Sequence, residues 1–130
     1  MHEPARHERI LIVDDNRDGA TSLSMVLKQM GNETLTAYDG EGAVAAAAKF
    51  RPDVILMDIG MPKLNGNEAC RRIRDLPWER QPMIIAQTGW GQENDRQRTR
   101  DAGFDHHLVK PVDVATLMKL IASANRPKPS

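Results

Sequence analysis

The apolar run Val54–Met57, near the middle of the chain, constrains the fold more than any other feature. It follows a turn at Pro52 and Asp53 and ends at Asp58. A half-exposed strand would alternate apolar with polar residues, so an unbroken run predicts a strand that is buried on both faces. In open parallel sheets such strands end at the crevice where ligands usually bind. Asp58 is therefore a candidate functional residue, although helix capping or a turn would also explain an Asp at this position.

Other segments repeat this pattern, and residues with helical spacing follow each of them. The predicted strands cover residues 9–13, 33–38, 54–57, 83–86 and 104–109. The second of these alternates weakly, which is typical of an edge strand. Five strand-and-helix units with short connections predict an α/β fold, in which a parallel sheet is covered on both faces by helices.

The predicted helices differ in their apolar content. The first begins near Asn16 and has one apolar stripe that is expected to lie in the core, formed by Ala20, Leu23, Val26, Leu27 and Met30. The helix over residues 92–102 is strongly charged, so it is expected to be the most exposed. The last helix begins at Asp113, which is expected to cap it.

Length and composition limit the domain organisation and the partners. The 130 residues suit one domain, predicted over residues 9–124, with a flexible lead at 1–8 and a disordered tail at 125–130. The 18 basic and 18 acidic side chains balance, so affinity for nucleic acid or for a membrane surface is not expected. Cys70 is the single cysteine, no export signal precedes the domain, and no apolar stretch approaches the roughly 20 residues of a membrane span. These features predict a cytoplasmic location.

Polar residues that follow the predicted strands should meet at one edge of the sheet. They are Asp14, Asp15, Asp58, Thr88 and Lys110. Three converging carboxylates repel one another unless a cation lies among them, and an oxygen-only ligand set favours Mg²⁺ or Mn²⁺. Together with the Lys110 ammonium and the Thr88 hydroxyl, such an ion suits the oxygens of a phosphoryl group. A carboxylate at the same site can act as the nucleophile and form an aspartyl phosphate.

Four motifs in order make the chain resemble a known family. They are Val13-Asp14-Asp15-Asn16, Met57-Asp58-Ile59-Gly60-Met61-Pro62, Gln87-Thr88-Gly89 and Val109-Lys110-Pro111. With this order and spacing, residues 9–122 resemble the receiver domain of two-component response regulators. The resemblance implies a flavodoxin-like (βα)5 fold, which is a doubly wound parallel sheet with strand order 2-1-3-4-5.

The resemblance also implies roles for the residues of the acidic crevice. Asp58 would accept a phosphoryl group from a phosphohistidine on a histidine kinase or a histidine phosphotransfer protein. Asp15 and Asp58 would bind Mg²⁺ directly, Asp14 would bind it through water, and the backbone carbonyl of Gly60 would complete the protein ligands.

Three further residues have roles implied by the resemblance. Lys110 would contact the phosphoryl oxygens, and Thr88 would turn inward to hydrogen-bond the phosphate. Many receivers have Tyr or Phe three residues before the lysine, where this chain has His107. Strand alternation puts His107 on the face opposite Lys110, and both a switching role and a packing role are open for it.

The segment 103–113 is most similar to receivers of hybrid histidine kinases, so a free-standing regulator and a domain of a longer protein are both possible. The resemblance implies signalling by phosphoryl relay or by contact with an unidentified output protein, rather than enzymatic turnover. It also implies that the protein is a monomer or a weak dimer. Two alternatives are a metal-dependent phosphatase with a first-strand Asp nucleophile and a receiver-like scaffold that is not phosphorylated. A third, a flavodoxin-like cofactor binder, is disfavoured because no hydroxyl-rich phosphate loop follows the first strand.

Overall fold

Five parallel strands form one sheet in the computed structural model, which describes residues 8–61, 65–89 and 100–124. The strands are β1 (Arg9–Val13), β2 (Glu33–Ala37), β3 (Val54–Asp58), β4 (Met83–Thr88) and β5 (His106–Val109). Their order across the sheet is β2-β1-β3-β4-β5, and all four neighbouring pairs are parallel. The predicted fold class and strand order are confirmed.

Four helices are described in full: α1 (Arg17–Gln29), α2 (Gly40–Phe50), α3 (Gly66–Arg74) and α4 (Val114–Ala124). Each begins after a side chain that accepts a hydrogen bond from a backbone N–H of the first turn, as N-caps do. These caps are Asn16, Asp39, Asn65 and Asp113. Of the helix predicted over 92–102, residues 100–102 are helical and the remainder lies outside the described residues. Among the described helices, none combines the length and apolar character that a bilayer crossing requires.

The buried side chains form two clusters, one on each face of the sheet. The α1/α4 face contains Ile10, Ile12, Val54, Leu56 and Ile85 from the strands and Leu27 and Leu117 from the helices. The α2/α3 face contains Leu11, Val13, Ile55, Met57 and Ile84 from the strands and Ala47 and Ile73 from the helices. Because successive strand residues point to opposite faces, unbroken apolar runs fill both clusters.

The predicted core stripe of α1 is only partly correct. Ala20 and Leu27 are buried, but Val26 is 40% exposed and Met30 is 43% exposed. The helix instead turns Ser24 toward β2, where its hydroxyl lies 2.6 Å from that of Thr34. The buried stripe of α1, which packs beside the edge strand β2, is therefore narrower than the sequence pattern suggested.

The chain ends were predicted to lack fixed structure, and most of their residues, 1–7 and 125–130, lie outside the described part of the chain. Glu8 was included in the predicted lead, but it is buried. Its backbone N–H donates to the Asn32 side chain at 3.1 Å, and its carbonyl accepts from Glu33 at 2.9 Å. Residue 8 therefore belongs to the ordered end of the sheet.

Arg74, at the end of α3, joins that helix to the segments that precede β4 and β5. Its guanidinium donates to the carbonyl of Gly103 at 2.7 and 3.0 Å, to the carbonyl of Pro82 at 2.8 Å and to the carboxylate of Asp105 at 2.8 Å. The same Asp105 oxygen accepts the Ile84 N–H at 2.8 Å. The Arg74 side chain thus connects α3 to the chain segments at the amino ends of β4 and β5.

We expect Arg74→Met to lower the free energy of unfolding by about 2 kcal/mol, because two carbonyls and a carboxylate lose their charged donor. The ion pair with Asp105 is partly solvated and contributes only a small part of this cost. Urea unfolding measures the change. Arg72→Met is the matched control, because Arg72 is exposed on the same helix and should change stability by less than about 0.5 kcal/mol. Equal effects of the two substitutions would contradict the role of Arg74.

Cys70, the single cysteine, is fully buried on the α2/α3 face. Burial raises the pKa of its thiol to about 12, and the charge of Arg74 opposes this only in part. We expect alkylation by iodoacetamide at about pH 8 to be at least about a hundredfold slower in the folded protein than in denaturant, because the thiolate is the reactive form. Comparable rates in both conditions would show that the thiol is accessible.

Candidate functional site

The carboxyl ends of three strands bring acidic and basic side chains together on the α1/α4 face. Asp14 follows β1, Asp58 is the last residue of β3, and Lys110 follows β5. Backbone hydrogen bonds continue past the strand ends, since the Asp14 N–H donates to Ala37 at 3.1 Å and the Lys110 N–H donates to Thr88 at 2.7 Å. The sheet therefore fixes the backbone from which these side chains extend.

The carboxylates of Asp14, Asp15 and Asp58 form one cluster. Each contributes an oxygen, and these oxygens all lie within 4.8 Å of one another. Asp14 and Asp58 are buried, whereas Asp15 is exposed and opens the cluster to water. Three oxygen donors with access to water fit Mg²⁺, which takes few protein ligands and keeps several waters.

Lys110 bridges two members of the cluster. Its ammonium lies 3.0 Å from Asp58 Oδ2 and 3.3 Å from Asp14 Oδ2. One ammonium against three carboxylates leaves two formal negative charges uncompensated, which a divalent cation would neutralise. The site therefore fits Mg²⁺ in charge as well as in donor type.

The pKa values of the bridging groups reflect burial and pairing. Burial raises the pKa of Asp14 above its ordinary value, and the Asn16 N–H and Lys110 oppose this only in part. Burial lowers the pKa of Lys110, but the hydrogen bond and charge of Asp58, and then those of Asp14, outweigh it and raise the pKa above its ordinary value. Lys110 is therefore a fixed cation at neutral pH.

Gly60 reaches the cluster through its backbone. Its N–H donates to Asp58 Oδ1 at 2.9 Å, which orients the carboxylate and leaves Oδ2 toward Lys110. The carbonyl of Gly60 as a metal ligand stays a prediction.

Thr88 and His107 lie apart from the acidic cluster, on the α2/α3 side of the sheet. Thr88 is fully buried, and its hydroxyl makes no hydrogen bond within the described ranges. Leu108 packs in the α1/α4 cluster, so alternation turns His107 to the other face, as predicted. Both ring nitrogens of His107 are buried, and its switching role stays a prediction.

The sequence predicts no role for Gln87. This residue is 4% exposed, and its buried Nε2 has no hydrogen-bond partner within residues 8–61, 65–89 and 100–124. It lines a cavity of about 540 Å³ together with Asp14 and Lys110. A polar residue two positions after Ile85 in an apolar strand was the available signal, because period two places both on one face.

A larger cavity of about 1060 Å³, lined by Arg51, Trp78 and other residues, lies at the opposite, amino edge of the sheet.

Comparison with known proteins gives consistent matches over almost the whole chain. A family model for the response regulator receiver domain matches residues 10–122. Protein PilH of Pseudomonas aeruginosa is 42% identical over 114 residues, which cover 87% of this chain and 93% of PilH. Some other curated relatives are longer, and the chain spans about a quarter (26%) of one of them, the response regulator PleD of Caulobacter vibrioides.

Solved structures agree with these matches. The receiver domain of sensor histidine kinase PA1611 from P. aeruginosa, with a magnesium ion coordinated in its active site cleft, has a TM-score of 0.80 and 34% identity, covering 91% of this chain and 97% of that one. The receiver domain of Ssk1 from Saccharomyces cerevisiae, crystallised with the histidine phosphotransfer protein Ypd1, has a TM-score of 0.79 and 27% identity, covering 88% and 86%. The chain therefore belongs to the response regulator receiver domains, whose family role is that of phosphoacceptor in two-component signalling.

Proposed function

We propose that Asp58 accepts the phosphoryl group in this chain, with Mg²⁺ bound beside it. The observation that carries the proposal is the cluster of three carboxylates bridged by Lys110 at the carboxyl edge of the sheet. Asp15 and Asp58 are the direct metal ligands, Asp14 acts through water, and the carbonyl of Gly60 is the backbone ligand. Mn²⁺ is a possible substitute, because it prefers the same oxygen donors.

The arrangement around Asp58 supports in-line transfer of a phosphoryl group. The Gly60 N–H holds Oδ1 at 2.9 Å, so Oδ2 is the attacking oxygen. A bond forms between Oδ2 and phosphorus while the bond from phosphorus to the donor's histidine nitrogen breaks, and the electron pair stays on the imidazole. When bound, Mg²⁺ supplies positive charge to the peripheral phosphoryl oxygens. Lys110 turns from the carboxylates to those oxygens. Thr88, whose hydroxyl makes no hydrogen bond within the described part of the chain, turns inward and donates to another of them.

The donor is a histidine kinase or a histidine phosphotransfer protein, as the Ypd1 complex of Ssk1 illustrates for that relative. Phosphorylation shifts an existing two-state equilibrium because it gives Lys110 and Thr88 a new partner, with His107 as a candidate switch residue. The domain covers residues 9–124, acts in the cytoplasm as a monomer or weak dimer, and signals by protein contact or by phosphoryl relay. It catalyses no reaction beyond its own phosphorylation and dephosphorylation.

Intact-mass analysis after incubation with acetyl phosphate tests the proposal. We expect one phosphoryl adduct on the wild-type chain in the presence of Mg²⁺, and none when the metal is chelated or in Asp58→Asn. Asp18→Asn, at an exposed position in α1, should keep the adduct. An adduct that persists in Asp58→Asn, or that forms without a divalent metal, would refute the assignment.

The hydrolase alternative has less support. Phosphatases with a first-strand nucleophile have an Asp-x-Asp motif after that strand. Here Asn16 stands in place of the second Asp, and its side chain caps α1. Turnover of a small phosphate ester that survives Asp58→Asn would nevertheless favour it.

A further inference from the structure

The side chain of Gln87 contains a buried hydrogen-bond donor that this state of the protein leaves unused. Gln87 is 4% exposed, and its Nε2 has no hydrogen-bond partner among the residues that the structure describes. About nine in ten buried polar groups are paired, because an unpaired donor loses its hydration without compensation. A state that offers this amide an acceptor would therefore be favoured.

The sheet places this donor beside the phosphoacceptor. Gln87 is the direct partner of Asp58 in the β3–β4 register. Ile85 and Leu56, two residues earlier on the two strands, both lie in the α1/α4 cluster. Alternation therefore points the Gln87 and Asp58 side chains to the same face, on strands about 4.8 Å apart.

Lys110 occupies acceptors that lie on the same face of the sheet as Gln87. It follows β5, so its side chain must cross the end of β4 to contact Asp58 Oδ2 at 3.0 Å and Asp14 Oδ2 at 3.3 Å. Gln87, on β4, lies along this path. The cavity of about 540 Å³ that Gln87, Asp14 and Lys110 line together gives the carboxamide room to turn.

We propose that Gln87 is a positioning residue. Its side-chain N–H donates a hydrogen bond to the Asp14 carboxylate when Lys110 leaves Asp14 for the phosphoryl group. This inference rests on the proposed function. Asp14 is only 7% exposed and its Oδ1 already accepts the Asn16 N–H, so the Oδ2 that the ammonium leaves needs a donor besides the metal-bound water. Gln87 supplies that donor from within the site, without movement of the backbone. It therefore stabilises the phosphorylated state alone and adds nothing to the unphosphorylated one.

Gln87→Met tests this, because Met keeps the length of the side chain and removes the amide. Beryllofluoride with Mg²⁺ serves as the phosphoryl mimic, and its binding is measured by calorimetry. We expect the affinity for beryllofluoride to fall about tenfold, as for the loss of one hydrogen bond to a charged group. The thermal midpoint of the unliganded protein should stay the same or rise, because the substitution removes an unpaired buried polar group.

Ile85→Val is the matched control on the same strand and face. It removes one buried methylene, so the thermal midpoint should fall while beryllofluoride affinity of the folded protein stays unchanged. In wild-type protein, the side-chain NH₂ resonances of Gln87, identified by their loss in Gln87→Met, should shift on addition of beryllofluoride and Mg²⁺.

The outcomes separate this inference from the proposed function. If the wild-type chain does not bind beryllofluoride, the proposed function fails. If the wild type binds it and Gln87→Met binds it equally well, the inference is overturned and the proposed function stands. A parallel loss of stability and affinity in Gln87→Met would also overturn it, because Gln87 would then have a packing role in both states.

Discussion

Lys110→Met should slow phosphorylation by acetyl phosphate about a hundredfold while the chain still binds Mg²⁺. The ammonium is the fixed positive charge within 3.0 Å of Asp58 Oδ2, and removal of one preorganised donor from a charge-developing site typically costs 10² to 10³ in rate. The three carboxylates that fit the metal remain in place. Stopped-flow phosphorylation at saturating Mg²⁺ measures the rate. An unchanged rate would show that Lys110 does not act on the phosphoryl group.

The same substitution should destabilise the metal-free protein by about 1–2 kcal/mol. Asp14 and Asp58 are buried and lose their ammonium, but the Lys110 side chain is 32% exposed, so solvent screening reduces the cost below that of a fully buried pair. The pKa of Lys110 is raised in the folded state, so its contribution is complete at neutral pH and is lost only as the pH rises through that raised value.

Mg²⁺ should restore the stability of Lys110→Met, because a bound cation replaces the missing charge and binds only the folded state. Urea unfolding with and without Mg²⁺ measures this rescue. Lys119→Met, at an exposed position in α4, is the control and should be neutral, and Mg²⁺ should stabilise it less than it stabilises Lys110→Met, because Lys110 still pairs with the carboxylates. If Mg²⁺ stabilises neither variant, the carboxylates do not form the metal site, and equal stabilisation of both would show that the ion does not replace the charge of Lys110.

The fold and the acidic part of the site could be predicted because both depend on local patterns. An unbroken apolar run such as Val54–Met57 fills both faces of a parallel sheet, and capping residues such as Asn16 mark the helix starts. Once the strands are parallel, their carboxyl ends share one edge, so Asp14 and Asp58 must meet there.

Features that depend on neighbouring elements could not be predicted. The helical spacing of Val26 and Met30 predicts that both are buried, but it does not show which part of α1 faces the sheet, and both side chains are exposed. Gln87 appeared only as part of a motif, because its importance depends on the register with Asp58 and on the path of Lys110. The pair Asn65-Gly66 is typical of a turn, whereas the role of Gly66 depends on how closely α3 approaches β3.

Gly66→Ala should lower the free energy of unfolding by about 3 kcal/mol and weaken Mg²⁺ binding. A Cβ on Gly66 would lie 2.6 Å from the Ile59 Cα and 2.7 Å from the carbonyl oxygen of Asp58. Both neighbours are backbone atoms, so no side chain can move aside, and overpacking of this kind typically costs about 1–3 kcal/mol or more. Relief requires α3 to move away from the segment that joins Asp58 to Gly60. Urea unfolding and Mg²⁺ titration measure the two effects.

Gly19→Ala is the matched control, because it makes the same substitution in the first turn of α1. There the nearest atoms belong to the Asn16 side chain, 3.5 Å from the added Cβ, which is ordinary contact. The higher helix propensity of alanine should therefore stabilise the protein by about 0.5–1 kcal/mol. The two substitutions then differ in sign, and only Gly66→Ala affects the metal. If both stabilise the protein, α3 does not pack directly against the backbone of the phosphoacceptor. A stability loss in Gly66→Ala without weaker Mg²⁺ binding would show that the Asp58 carboxylate keeps its position when α3 moves.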